Sequence, residues 1–171
     1  QLAFEELFDM QLGLLLRRRH EGKRQGLKCG PNGKLLKTFY EHLPFTLTKG
    51  QTQAFLDIQA DMESEVPMQR LVQGDVGSGK TVVAALAAMQ CIAAGWQCAL
   101  MAPTELLAEQ HALNFGRWLE PLGLRVGWLA GKQKGKAREQ QMQAIAAGEV
   151  QMVVGTHAMF QEQVRFHHLV L

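Results

Sequence analysis

Apolar residues recur along this chain at two spacings, and the pattern changes at Pro44. Residues 1–20 carry leucine and phenylalanine at three- and four-residue steps, which predicts an amphipathic helix. Residues 21–37 are rich in glycine and lysine, a composition typical of a connector. We therefore expect a helical linker segment over residues 1–43 and the main domain over residues 44–171.

From Pro44 onward, short apolar runs alternate with longer helical patterns. Strands are predicted at residues 70–73, 98–102, 125–130 and 150–154, with another beginning at Leu169. Helices are predicted from Thr48 to about Met62 and at residues 80–94, 105–119 and 138–147. This alternation predicts an α/β fold in which helices cover both faces of a parallel sheet.

Residues at the helix ends agree with this assignment. Thr48 followed by Gln51 has the spacing of a capping box, and Thr104 is a good N-cap for the helix that follows it. Gly95 and Gly148 stand where two helical patterns end, as C-terminal glycines often do.

Composition and charge exclude some classes of protein. The sequence is 47% apolar and 20% charged, which is ordinary for a globular domain, and it has no apolar run long enough to cross a membrane. The net charge of +2 does not by itself indicate a nucleic-acid partner. The three cysteines, Cys29, Cys91 and Cys98, lack C-x-x-C spacing, so we expect buried, inert thiols in a reducing cytoplasm.

Both ends of the sequence look cut. Gln1 stands in a helical pattern, and the chain stops at Leu171 within a strand-like run. We therefore expect this chain to be a piece of a longer protein.

The strongest chemical signal is a complete match to the phosphate-binding pattern G-x-x-x-x-G-K-[ST], between a predicted strand and a predicted helix. Glycines let successive N–H groups point at phosphate oxygens, and the helix start adds its positive dipole end. Lys80 is expected to reach the β- and γ-phosphates, and Thr81 to ligate Mg²⁺ held by ATP. The predicted nucleotide-binding residues are Gly74, Asp75, Val76, Gly77, Ser78, Gly79, Lys80 and Thr81.

The context of this loop makes a chance match on an ordinary strand–turn–helix improbable. Asp75 is the one residue type that does not suit the chemistry, because a carboxylate is repelled by a triphosphate. We expect its side chain to turn out of the loop, towards a neighbouring domain or a second motor lobe.

Residues 73–85 resemble the first helicase motif of the RecG family of bacterial ATP-dependent DNA helicases. Residues 102–111 and 154–158 resemble the family's motifs Ia and Ib, and residues 43–51 its adenine-recognition segment. The resemblance implies a RecA-like P-loop NTPase lobe that uses ATP and Mg²⁺. It also implies remodelling of branched DNA, such as stalled forks and Holliday junctions, in recombination and repair within the bacterial cytoplasm, at the nucleoid.

The resemblance also implies roles for two residues near the adenine base. Gln51 is expected to pair with the adenine edge, a role that is compatible with its place in the capping box. Phe45 is expected either to stack on the base or to make a core contact.

Sequence-independent DNA-backbone contacts are implied at the ends of two strands. The residues concerned are Pro103, Thr104, Glu105, Gly155, Thr156 and His157. A basic stretch stands apart from these motifs, because cations at a helix N-terminus are unfavourable by about 0.3–1 kcal/mol each. It is either a phosphate contact or a solvated loop, and it comprises Lys132, Lys134, Lys136 and Arg138.

The family's Asp-Glu motif, second RecA-like lobe and junction-splitting wedge domain are not found within these 171 residues. We therefore expect the chain alone to bind ATP weakly and to hydrolyse none. The alternatives are the translocase of a transcription-repair coupling factor, a P-loop kinase or metabolic ATPase without a nucleic-acid partner, and a non-catalytic nucleotide-binding scaffold.

Overall fold

A computed structural model describes residues 33–65, 67–75, 79–161 and 164–171. The predicted helix at residues 1–20, residues 21–32 with Cys29, and loop residues Val76, Gly77 and Ser78 lie outside these ranges. The helices are α1 Gly33–His42, α2 Lys49–Glu63, α3 Lys80–Ala93, α4 Glu105–Leu119, α5 Lys136–Ala146 and α6 His157–Gln161. The strands are β1 Cys98–Ala102, β2 Val126–Leu129 and β3 Met152–Thr156.

The three strands form a parallel sheet in the order β1-β3-β2. β3 is central and buried along its whole length, as its continuous apolar sequence indicates. Ala102 pairs with Thr156 and Leu129 with Gly155, so all three strands end at one edge, which we call the carboxyl edge. On the free side of β1, Gln97 makes a parallel bridge with Leu169, where a further strand was predicted to begin.

Helices cover both faces of this sheet, which confirms the predicted architecture. Met152 and Val154 of β3 belong to the larger core cluster, which includes the buried residues of α3 and α4. Val153 points the other way, into a smaller cluster with Ile145 of α5 and Phe160 of α6. Residues of β3 therefore alternate between two cores, as the two-residue period of a strand requires.

The predicted helix ends are confirmed. Thr48 and Gln51 form the capping box, with Gln51 N–H donating to Thr48 Oγ1 and Thr48 N–H donating to Gln51 Oε1. Thr104 caps α4 by accepting from Leu107 N–H. Gly95 and Gly148 have φ angles of 90° and 78°, which favour glycine after a helix.

Two sequence predictions are wrong. Residues 33–37 were assigned to a connector, but they form the first half of α1, whose Phe39 is buried against the main core. Residues 70–73 were predicted to form a strand and do not. Within the described ranges, no backbone hydrogen bond joins these four residues to a strand, and Leu71 is 81% exposed.

An ion pair holds this segment instead. The Arg70 guanidinium donates to both carboxylate oxygens of Asp61, near the end of α2. The hydrogen bond from Arg70 holds the pKa of the Asp61 carboxyl below its ordinary value, although partial burial opposes the shift. The segment leading to the phosphate loop is thus attached to α2 by a side-chain contact rather than by sheet pairing.

Gln97, just before β1, is a buried polar residue at the opposite end of the sheet from the carboxyl edge. Its amide nitrogen donates to the carbonyl oxygens of Ile145 and Val150, at 3.0 and 2.8 Å. Its amide oxygen accepts from the N–H groups of His167 and His168, at 2.7 and 2.9 Å. One side chain therefore connects β1, the end of α5, the start of β3 and the last described segment.

Two cysteines, Cys91 and Cys98, are buried, as predicted. In the part of the chain that the structure describes, no helix is both long and apolar enough to cross a bilayer.

Candidate nucleotide and nucleic-acid sites

A cleft of about 230 Å³ lies between the start of α2 and the start of α3. It brings together the adenine-recognition segment and the phosphate loop, which the sequence places more than twenty residues apart. The lining residues are Thr48, Gly50, Gln51, Ala54, Val72, Gln73, Gly74, Gly79, Lys80 and Val83.

Lys80 is the first residue of α3, and its side chain folds back over the loop. Its ammonium group donates to the carbonyl oxygen of Gly74. The lysine is thereby kept beside the phosphate loop, where a phosphate oxygen could replace the carbonyl as acceptor. A point charge on a flexible stem suits this exchange.

Gln51 lies across the cleft with its amide in a defined orientation. Oε1 accepts from Thr48 N–H at 2.9 Å, which directs the amide nitrogen towards Gly79. An amide oxygen has two lone pairs, so the capping bond leaves acceptor capacity for an adenine amino group. The two roles predicted for Gln51 are therefore chemically compatible.

Gly79 is required by both conformation and space. Its φ of 80° lies in the left-handed region, and a Cβ at this position would collide with the amide nitrogen of Gln51.

We predict that Gly79→Ala destabilises the protein, since the left-handed conformation alone costs an L-residue about 1–2 kcal/mol and the collision adds to it. The unfolding free energy, measured by urea denaturation, should fall less on this substitution in a Gln51→Ala background than in the wild type. Equal decreases in unfolding free energy in the two backgrounds would show that the collision does not contribute to the destabilisation.

Three other predicted nucleotide residues differ in exposure. Asp75 is exposed, and the outward direction of its side chain stays a prediction. Thr81 is half-buried in the first turn of α3. Phe45 is 44% exposed and belongs neither to the cleft lining nor to the core clusters, so its base-stacking role stays a prediction.

The residues predicted to contact DNA are brought together at the carboxyl edge of the sheet. Pro103 and Thr104 follow β1 and are exposed, and His157 follows β3 and is exposed. The loop after β2 carries Lys132 and Lys134, and Lys136 begins α5; all three are exposed. Parallel pairing puts these three loops side by side, although they are distant in sequence.

Not every predicted DNA residue is equally accessible. Thr156 is 9% exposed, and Gly155 is buried where a Cβ would lie 3.2 Å from Leu129 Cβ. The glycine thus serves the close packing of β3 against β2. The Glu105 carboxylate accepts a hydrogen bond from Gly131 N–H at 3.3 Å, a contact that the sequence did not predict.

Metal binding was expected only through ATP and Thr81. Among the described residues, no cluster of His, Cys, Asp or Glu side chains has the geometry to hold a metal ion.

A phosphate-loop lysine at the start of a helix, on a parallel α/β lobe, is the arrangement of a P-loop nucleotide-binding domain. The sequence profile of the DEAD/DEAH box helicase family matches residues 48–170, and the chain belongs to that family.

Particular relatives are more similar still. The chain is 57% identical over its whole length to the ATP-dependent DNA helicase RecG of Escherichia coli O157:H7, and 52% identical to that of Pasteurella multocida. It spans 25% of the length of each of these relatives. A solved structure of RecG bound to a three-way DNA junction matches 98% of this chain and 23% of its own, with a TM-score of 0.88 and 42% identity.

Sequence reasoning missed two residues at the carboxyl edge. Gly131 immediately precedes the basic stretch, and Met159 lies on the short helix α6. Both make contacts that depend on tertiary structure, Gly131 with Glu105 and Met159 with Arg138, so no local pattern could have revealed them.

Proposed function

We propose that this chain is the ATP-binding part of an ATP-dependent DNA helicase or translocase. In this proposal the whole protein remodels branched DNA, such as stalled forks and Holliday junctions, in recombination and repair. The observation that carries the proposal is that one lobe holds both the nucleotide cleft and, at the carboxyl edge of its sheet, a lysine-rich loop beside the exposed Thr104 and His157. A motor needs the nucleotide site and the DNA site on one lobe, because hydrolysis must change how tightly the protein binds the DNA strand.

The positions of the described residues support the following roles. Lys80 and the loop amides bind the β- and γ-phosphates of ATP, Thr81 ligates the Mg²⁺ that accompanies it, and Gln51 selects adenine. Thr104 and His157, with the lysines after β2, contact the phosphates of a DNA strand and read no sequence. A DNA motor with these properties works at the bacterial nucleoid, in the cytoplasm.

In this proposal hydrolysis also needs groups that are not among these 171 residues. We propose that the whole protein also contains an Asp-Glu motif, a second RecA-like lobe and a wedge domain. These are the parts that the resemblance to RecG implies. The curated relatives are about four times as long as this chain, which leaves room for those parts. Family membership and the RecG similarity favour this proposal over a P-loop kinase.

The test is the rate of ATP hydrolysis by the full-length protein with and without DNA. We expect a three-way junction to stimulate hydrolysis more than linear duplex of the same length, irrespective of sequence, and chelation of Mg²⁺ to abolish it. Hydrolysis that ignores DNA would contradict the proposal and favour a metabolic ATPase. Stimulation that requires RNA polymerase would favour the coupling-factor alternative.

A further inference from the structure

The loop between β2 and α5, residues 130–136, combines order with unpaired positive charge; we call it the basic loop. Its three lysines, Lys132, Lys134 and Lys136, are exposed. Within the described ranges, ion pairs form between Arg70 and Asp61 and between Arg125 and Glu149, and none involves these lysines.

The basic loop is nevertheless well anchored. Gln133 N–H donates to the carbonyl oxygen of Ala130 at 3.1 Å, which closes a turn. Arg138 donates to the carbonyl oxygen of Gln133 at 3.4 Å, and its guanidinium lies 3.9 Å from the sulfur of Met159 on α6. A solvated loop needs none of these contacts, so the anchoring indicates that the position of the lysines matters.

The anchor on the other side is an acid. Glu105, the first residue of α4, accepts from Gly131 N–H at 3.3 Å. This carboxylate stands next to Thr104, in a region where a negative charge would repel a DNA phosphate. An acid is tolerated there because one of its oxygens is engaged with the basic loop rather than presented to a ligand.

We propose that Glu105 is a positioning residue: its carboxylate holds the basic loop against the loop after β1. The lysines are then held at fixed positions relative to Thr104 and His157, so that one DNA strand can contact all of them. This inference rests on the proposed DNA-binding function and changes the role of Glu105 within it, from a direct DNA contact to a support for the lysines. Glu105 acts on DNA through Gly131, and it does not touch the strand.

The test compares two substitutions of Glu105 in the full-length protein. Glu105→Gln keeps an oxygen that can accept from Gly131 N–H but removes the charge, whereas Glu105→Ala removes both. Glu109→Ala, on an exposed position of the same helix, is the control for removal of an acid. The measurement is the slope of the logarithm of DNA affinity against the logarithm of salt concentration. The magnitude of this slope decreases by about 0.9 for each DNA phosphate that the protein no longer neutralises.

We expect Glu105→Ala to reduce the magnitude of this slope, and Glu105→Gln and Glu109→Ala to leave it unchanged. Removing the three lysines should reduce the magnitude of the slope in the wild type. The reduction should be smaller in the Glu105→Ala background, because a displaced loop no longer presents the lysines to the DNA. Hydrogen exchange at the Gly131 amide should speed up in Glu105→Ala and not in Glu105→Gln, which measures the anchoring independently of DNA.

Three results would overturn the inference. Equal slopes for Glu105→Ala and the wild type, with the wild type binding DNA normally, would reject the positioning role and leave the proposed function intact. Equal reductions in Glu105→Gln and Glu105→Ala would show that Glu105 acts through its charge. A wild-type protein without salt-dependent DNA binding would reject the proposed function itself, and with it this role of Glu105.

Discussion

Lys80→Ala in the full-length protein is expected to lower kcat for DNA-stimulated ATP hydrolysis by about 100- to 1,000-fold, the usual effect of removing one preorganised charge-stabilising group. Lys80 lies in the nucleotide cleft and already donates to the Gly74 carbonyl oxygen at the phosphate loop. In the transition state, negative charge spreads over the transferred phosphoryl group, and alanine offers nothing to balance it. Steady-state hydrolysis at saturating DNA measures the effect.

DNA affinity should remain close to that of the wild type in the same variant, because the residues proposed to contact DNA lie on other elements, at the carboxyl edge of the sheet. The control is Lys37→Ala, which removes an exposed lysine of α1 that does not line the cleft. Normal turnover in Lys80→Ala would contradict the assignment of the nucleotide site. A decrease in DNA binding that matches the decrease in turnover would show that the two sites are not separate.

Gln97→Leu is expected to cost more stability than the Gly79→Ala substitution. Leucine keeps the bulk of the side chain but removes an acceptor and a donor that together satisfy four backbone groups. A buried polar group left unsatisfied costs about 1–3 kcal/mol, so a total decrease above about 3 kcal/mol is expected. That is a large part of the roughly 5–15 kcal/mol that holds a typical domain folded.

Urea denaturation measures this effect as a fall in unfolding free energy. Gln97→Glu separates the contributions, because a carboxylate still accepts from His167 and His168 but meets the carbonyls of Ile145 and Val150 with no hydrogen to donate. We expect it to be at least as destabilising as leucine. Gln140→Leu, at an exposed site on α5, is the matched control. A fall for Gln97→Leu no larger than that of the control would refute the role of Gln97.

The sequence predicted most of the regular elements within the described ranges because their signals are local. The Thr48 capping box, the Thr104 cap and the terminal glycines each depend on residues a few positions apart. Short apolar runs predicted β1, β2 and β3. In the structure these strands pair in parallel with their neighbours in the sheet, as expected. Residues 70–73 have the same kind of composition, but strand formation also needs a hydrogen-bonding partner, which composition does not reveal.

The candidate sites divide in the same way. The phosphate loop was recognisable because its chemistry requires glycines, a lysine and a threonine at closely spaced positions. The contact between Gln51 and Gly79 joins two helix starts, and that between Glu105 and Gly131 joins residues 26 positions apart. A contact across such distances depends on how helices and strands pack, and no residue pattern along the chain encodes it.

The sequence by itself determined the α/β alternation, the family and the location of the phosphate loop, since helix caps, strand periodicity and phosphate binding all depend on near neighbours. The tertiary structure alone decided that Gln97 connects four segments, that Arg70 rather than sheet pairing holds the approach to the phosphate loop, and that Glu105 contacts the basic loop. Each of these depends on a polar side chain meeting a group distant in sequence. Because Gln97 is buried, its polar groups must be satisfied wherever the fold places their partners. Only packing fixes where those partners lie, and the same holds for the partners of Arg70 and Glu105.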